Sequence, residues 1–250
     1  MVLSSQQSTN RIRTSDRSVA WLDVINRPWV ILLSITPLLI LDAIGIGWVT
    51  DIPDILARRQ LHGLLGFFDI PPQLALASTI CILCAVLMTW HILQRDPWRV
   101  KPLAPIGIAI EGAAWAVPLL LLSSLFSAAI LAAGTTAQGI AELPTMDRLL
   151  ISVAAGLDEE MIFRMAGIAL LHTIIVDVFG LKQGTGTMLA IAGTAVLFAW
   201  YHDPGLTAPP QLLFALLAGI YLGVLYVLRG FGIVVWTHVL YDVSVTILFA

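Results

Sequence analysis

Three short runs in this chain place acids, imidazoles and a guanidinium inside sequence that is otherwise apolar: Glu159-Glu160-Met161-Ile162-Phe163-Arg164, Phe198-Ala199-Trp200-Tyr201-His202 and His238-Val239-Leu240-Tyr241-Asp242. A charge at the centre of a bilayer costs roughly 2.5–3.5 kcal/mol on insertion scales, so groups of this kind need partners or a water-filled cavity. Together they are what hydrolysis requires. A carboxylate and an imidazole can take a proton from water, and further donors can hold a developing oxyanion.

Helical geometry sorts these runs. Glu160 and Arg164 are four residues apart and fall within about 40° of one another on a helix face, so they are expected to pair. The arginine then keeps Glu160 ionised and orients the turn. Glu159 is rotated by roughly 100° from its neighbour and is left available for other work. Phe198 and His202 lie one turn apart at the end of a helix, and His238 and Asp242 stack on one face of another.

The elements that must position these groups follow from composition. The 250 residues are 58% hydrophobic and 12% charged, with a mean hydropathy of +0.92, whereas soluble domains carry about 25% charged residues. The chain therefore reads as an all-α, polytopic membrane helix bundle. Spans are expected near 29–49, 73–93, 107–131, 148–175, 188–202, 211–228 and 231–249, which makes about seven transmembrane helices in one domain over 29–250. Trp29 and Trp48 bracket the first at about 28 Å, the spacing of two interfacial anchors. The segment 51–72 is too charged to span but carries Leu56, Leu61, Leu64, Leu65, Phe67 and Phe68, and is expected to be an interfacial helix.

Residues 1–28 are polar, lack the apolar core and cleavage site of a secretory signal, and are expected to form a cytoplasmic N-terminal segment. With the N-terminus inside, Arg11, Arg13, Arg17, Arg27, Arg95, Arg99, Lys101, Lys182 and Arg229 face the cytoplasm, against Arg58, Arg59 and Arg148 outside. A net charge of −3 excludes nucleic acid as an electrostatically recruited partner. The partner demanded by composition is the lipid bilayer. Cys81 and Cys84 form a lone CxxC within an apolar span, without the second ligand pair of a zinc site, and read as packing residues. No internal repeat is visible.

EExxxR at 159–164, FxxxH at 198–202 and HxxxD at 238–242, in that order on three apolar helices, resemble the motifs of the CAAX prenyl protease and bacteriocin-processing (CPBP, or Abi) intramembrane proteases. The resemblance covers roughly 145–250. It implies a glutamic-type endopeptidase in a prokaryotic cytoplasmic membrane, acting on a membrane-bound peptide or protein. Glu159 and His202 would activate water, His238 and the residue at 242 would stabilise the tetrahedral intermediate, and Glu160 and Arg164 would support the site. In the type II CAAX prenyl proteases that last position is typically Asn, a donor, whereas an ionised Asp242 only accepts.

Two roles are open for Asp242. It could orient and charge His238, or Glu159, His202, His238 and Asp242 could together bind a divalent metal such as zinc. The family resemblance favours the first, with no cofactor required. Other readings of the same residues are a proton- or ion-coupled transporter using Glu159, Glu160 and His238 as a relay, and a non-catalytic scaffold or immunity protein on the same fold. His172, Asp42 and Glu111 read as structural or as groups that hydrate the bundle, and Trp115, Trp200 and Trp236 as packing or belt residues. His62 and His91 are expected near interfaces.

Overall fold

The computed structural model describes residues 21–48, 66–67, 69, 77–132, 143–203 and 205–248. Seven long helices are present among them, and no strand. They are α1 (Pro28–Trp48), α2 (Ser78–Gln94), α3 (Leu103–Ala132), α4 (Thr145–Val178), α5 (Gln183–His202), α6 (Pro209–Arg229) and α7 (Phe231–Leu248). All but α2 are long and apolar enough to cross a membrane. At 17 residues α2 lies at the lower edge of spanning length, so the expected count of seven spans is approximate. The segment 51–72 lies outside the described residues except at 66, 67 and 69, as does His62.

Several helices run further than hydropathy alone marks. α3 begins at Leu103 and α5 at Gln183, because polar or glycine-containing first turns such as Gln183-Gly184-Thr185 depress a sliding average without breaking a helix. Pro209 and Pro210 start α6, where a missing N–H costs nothing. The turn before it is built on Asp203: the Ala208 N–H donates to Oδ2 at 2.7 Å and the Thr207 hydroxyl to Oδ1 at 3.0 Å. These bonds hold the Asp203 carboxyl below the usual carboxylate range.

α4 is not a uniform α-helix. It is regular over Thr145–Glu159, widens to a π-helix over Glu160–Ile168, returns to α over Ala169–Thr173 and ends as π over Ile174–Val178. π segments recur at functional sites because the extra residue per turn re-aims the side chains around it.

The core follows α1, α4, α6 and α7, with Ile35, Leu157, Leu222, Val234 and Val235 fully buried. Small residues set the close approaches, as expected where lipid tails offer no hydrophobic drive for helix association. Gly219 of α6 lies against the Ala195 backbone of α5, and Gly156 of α4 against Val239 of α7. Glu111 of α3 accepts from Arg229 Nε at 2.6 Å and from Trp21 Nε1 at 3.0 Å, which ties the stretch just before α1 to the bundle. His91 is buried between Trp29 and Trp98, at ring distances of 6.4 and 4.2 Å. Asp42 is buried in α1, and His172 faces α5 beside Gly186.

A Cβ at Gly156 would come within 2.7 Å of Val239 Cγ2 and 3.2 Å of its Cα and N. Gly156→Val is therefore expected to cost ~1–3 kcal/mol of overpacking and to push α4 from α7. Unfolding of the detergent-solubilised variant checks this, and an unchanged transition would show that the two helices are free to separate there.

Candidate active site

The sequence-predicted site residues come together from three helices. Glu159, Glu160 and Arg164 are placed by the α-to-π transition of α4, His202 by the last turn of α5, and His238 and Asp242 by the middle of α7. Glu159, Glu160, Arg164 and His238 are buried, while His202 and Asp242 keep 30% and 25% of their side-chain surface open.

Glu160 Oε1 is the hub. Arg164 Nη1 lies 3.0 Å from it, the expected pairing, and His238 Nδ1 lies 2.6 Å from the same oxygen. A carboxylate accepts, so His238 donates through Nδ1–H and its Nε2 is the ring atom left to face the cavity. On that side Glu159 Oε2 is 3.7 Å away and Asp242 Oδ2 is 3.5 Å away. Two adjacent glutamates thus address opposite nitrogens of one imidazole. This differs from the sequence expectation, which left Glu160 with Arg164 alone and offered Asp242 as the group that orients His238. Glu160 does both.

His202 is held by its own helix. Its Nδ1 is 2.8 Å from the Phe198 carbonyl, which only accepts, so the proton sits on Nδ1 and the Nε2 lone pair is free. That Nε2 lies 3.8 Å from Glu159 Oε2. One carboxylate oxygen is therefore flanked by the Nε2 atoms of both histidines.

Phe198 does more than precede His202. Its ring centroid is 4.4 Å from Arg164 Cζ, 4.4 Å from the His202 ring and 6.1 Å from the His238 ring. Phe163 meets it edge-on at 5.2 Å. A guanidinium on an aromatic face gains roughly 0.5–2 kcal/mol, more when desolvated. This matters because neither Arg164 Nη atom makes a hydrogen bond among the described residues.

A cavity of about 290 Å³ opens beside these groups. His202, His238 and Asp242 form one wall, Gln211 and Tyr241 add polar edges, and Leu119, Phe214, Ala218 and Leu222 supply apolar surface. Gln211 Nε2 also donates to the His202 carbonyl at 3.4 Å. Sequence reasoning named His202, His238 and Asp242 but none of Leu119, Gln211, Phe214, Ala218, Leu222 and Tyr241 as functional, since no spacing marks which face of α3 or α6 meets the site. Asp42 and Glu111 do not line this cavity. Among the described residues no three His, Cys, Asp or Glu side chains are arranged to hold a metal ion.

Residues 141–244 match the family model described as type II CAAX prenyl endopeptidase Rce1-like. The chain thus carries an Rce1-like domain of the CPBP family, a protease family, and all six site residues fall inside it. With six helices among the described residues long and apolar enough to cross a membrane, it is an integral, multi-pass membrane protein. No curated protein and no solved structure matches the chain.

Removing one member of a buried ion pair costs roughly 3–5 kcal/mol, because the other charge is stranded. Arg164→Met is expected to lose about that much stability, and the double variant Arg164→Met with Glu160→Gln to regain part of it. Denaturant titration of single and double variants reads the coupling, and additive losses would dissolve the pairing argument.

Proposed function

We propose that the chain is an intramembrane endopeptidase that hydrolyses a peptide bond of a membrane-associated substrate with water activated by Glu159 and His202. The observation that carries this reading is the convergence of Glu159 Oε2 with His202 Nε2 at 3.8 Å and His238 Nε2 at 3.7 Å beside a cavity. Intramembrane carboxylates and imidazoles that only braced helices would have no need of an open wall.

In this mechanism Glu159, with His202 Nε2 as a second acceptor, takes a proton from water as its oxygen attacks the peptide carbonyl carbon. The carbonyl oxygen gains negative charge beside His238, whose Nε2 donates to it when protonated while Nδ1–H stays committed to Glu160. Collapse breaks the C–N bond, and the proton taken from water is delivered to the leaving amine. Arg164 and Phe198 act through Glu160 and the two rings, and touch no reacting atom. Every proton movement is assigned to side chains, so no metal is required.

Glu159→Gln and His202→Ala are expected to lower peptide cleavage by purified protein by 10²–10⁴-fold. Variants as fast as the parent would remove the reading. Asp242→Asn offers a donor of the same shape beside His238 and is expected to stay within about tenfold of the parent, whereas Asp242→Ala, which leaves nothing polar beside His238 Nε2, is expected to lose more than about tenfold. Chelators are expected to leave the rate unchanged. Loss restored by zinc would instead assign Glu159, His202, His238 and Asp242 to a metal site.

The orientation belongs to the same proposal. The start of α1 and the ends of α2 and α6 meet around a second cavity that includes Arg27, Gln94 and Gly230. By connectivity Arg95, Arg99, Lys101, Lys182 and Arg229 lie at that end, which the positive-inside rule places in the cytoplasm. His202 and Gln211 then lie toward the opposite face. In a protein with Cys81 and Cys84 replaced by Ala, Thr207→Cys is expected to react with a membrane-impermeant maleimide in intact cells and Lys101→Cys only after permeabilisation. The reverse pattern would turn the bundle over.

A further inference from the structure

α3 is held very differently at its two ends. Over its first half Glu111 binds Arg229 and Trp21, the Trp115 carbonyl accepts from the Tyr221 hydroxyl at 2.6 Å, and the Gly112 carbonyl accepts from Thr237 at 3.2 Å. These bonds fasten it to α6 and α7. Pro118 then interrupts the helix, where it removes a backbone bond and its ring crowds the carbonyl four residues back. Beyond it Ser123, Ser124 and Ser127 turn their hydroxyls back onto the carbonyls of Leu120, Leu121 and Ser124 at 2.7–2.9 Å, a pattern that loosens and bends helices.

This outer half is also the lipid side of the site. Leu119 and Ile130 line the cavity, while Leu121 and Leu125 are 64% and 78% exposed on the opposite face. It meets α6 through two rings, Phe126 and Phe214, with centroids 6.0 Å apart. Phe214 in turn touches Tyr241 at 6.1 Å, next to Asp242. An apolar ring contact costs little to open into lipid, because hydrocarbon replaces hydrocarbon.

We propose that the outer half of α3 is a lateral gate: it swings on Pro118, parting Phe126 from Phe214, and admits an apolar, membrane-embedded segment of the substrate from the bilayer to the catalytic groups. The gate rests on the hydrolytic reading above and adds the substrate class, a peptide whose cut site lies within hydrocarbon. Short water-soluble peptides reach the same groups by the mouth at His202 and Gln211 and do not need the gate.

The test uses full-length protein in proteoliposomes, with Cys81→Ala, Cys84→Ala, Phe126→Cys and Phe214→Cys, joined by a short reducible bifunctional thiol reagent. The probes are one cleavable peptide sequence presented either as a soluble fluorogenic peptide or within a polyleucine transmembrane segment. Cross-linking is expected to lower cleavage of the embedded probe at least tenfold, with recovery on reduction, and to leave the soluble probe at the rate of the same variant after reduction. Pro118→Ala, which needs no cross-link, is expected to slow the embedded probe several-fold more than the soluble one. Equal cleavage of the embedded probe with and without the cross-link overturns the gate, and so does equal loss of both probes. A parent protein that cleaves neither probe, in a preparation where Glu159→Gln behaves identically, removes the hydrolytic reading and the gate with it.

Discussion

One carboxylate oxygen, Glu160 Oε1, answers both the Arg164 guanidinium and the His238 imidazole. In hydrocarbon neither cation can be left alone, and neither can the carboxylate. The contact therefore fixes more than a pair: it sets the rotation of α4 about its axis, the height of α7 beside it and the face of α5 that must cover the arginine with Phe198. Glu159 and His202 acquire their separation from that arrangement, not from any direct bond between them.

The backbone of α4 is adapted to the same demand. Consecutive residues on a regular α-helix diverge by about 100°, yet Glu159 and Glu160 reach the Nε2 and Nδ1 sides of one ring. The π segment that begins at Glu160 changes the turn at that point. The close approach of Gly156 to Val239, one turn earlier, brings the two helices near enough for such short side chains to meet. Wider packing at that crossing would leave the charges facing each other across a gap.

The bilayer makes much of this architecture legible in sequence. Every backbone group in lipid must bond within its own helix, so apolar stretches could only be helices, and charges within them stood out. The Glu160–Arg164 pairing followed from spacing alone. What escaped was whatever depends on which helices touch. Phe198 is marked by the FxxxH spacing but gains a task only when Arg164 is laid on its ring, and no spacing shows that Trp29 and Trp98 close around His91. The π turn has no hydropathy signature. Apart from Gln211, the cavity walls on α3 and α6 are apolar residues of the same kinds as their lipid-facing neighbours, so no pattern in composition separates them.

The place of Asp242 follows from this geometry. A carboxylate that merely oriented His238 would be redundant, because Glu160 already fixes Nδ1 at 2.6 Å. Asp242 lies instead on the Nε2 side, beside Glu159 and at the open edge of the cavity. There it can do two things that Glu160 cannot: add negative charge next to the ring atom that faces a substrate, and itself contact the substrate. An amide at this position would keep the second and forgo the first. The choice of acid over amide at residue 242 therefore sets how the charge on His238 is balanced while a carbonyl oxygen takes the place of a carboxylate at Nε2, and leaves the framework of Glu160, Arg164 and Phe198 untouched.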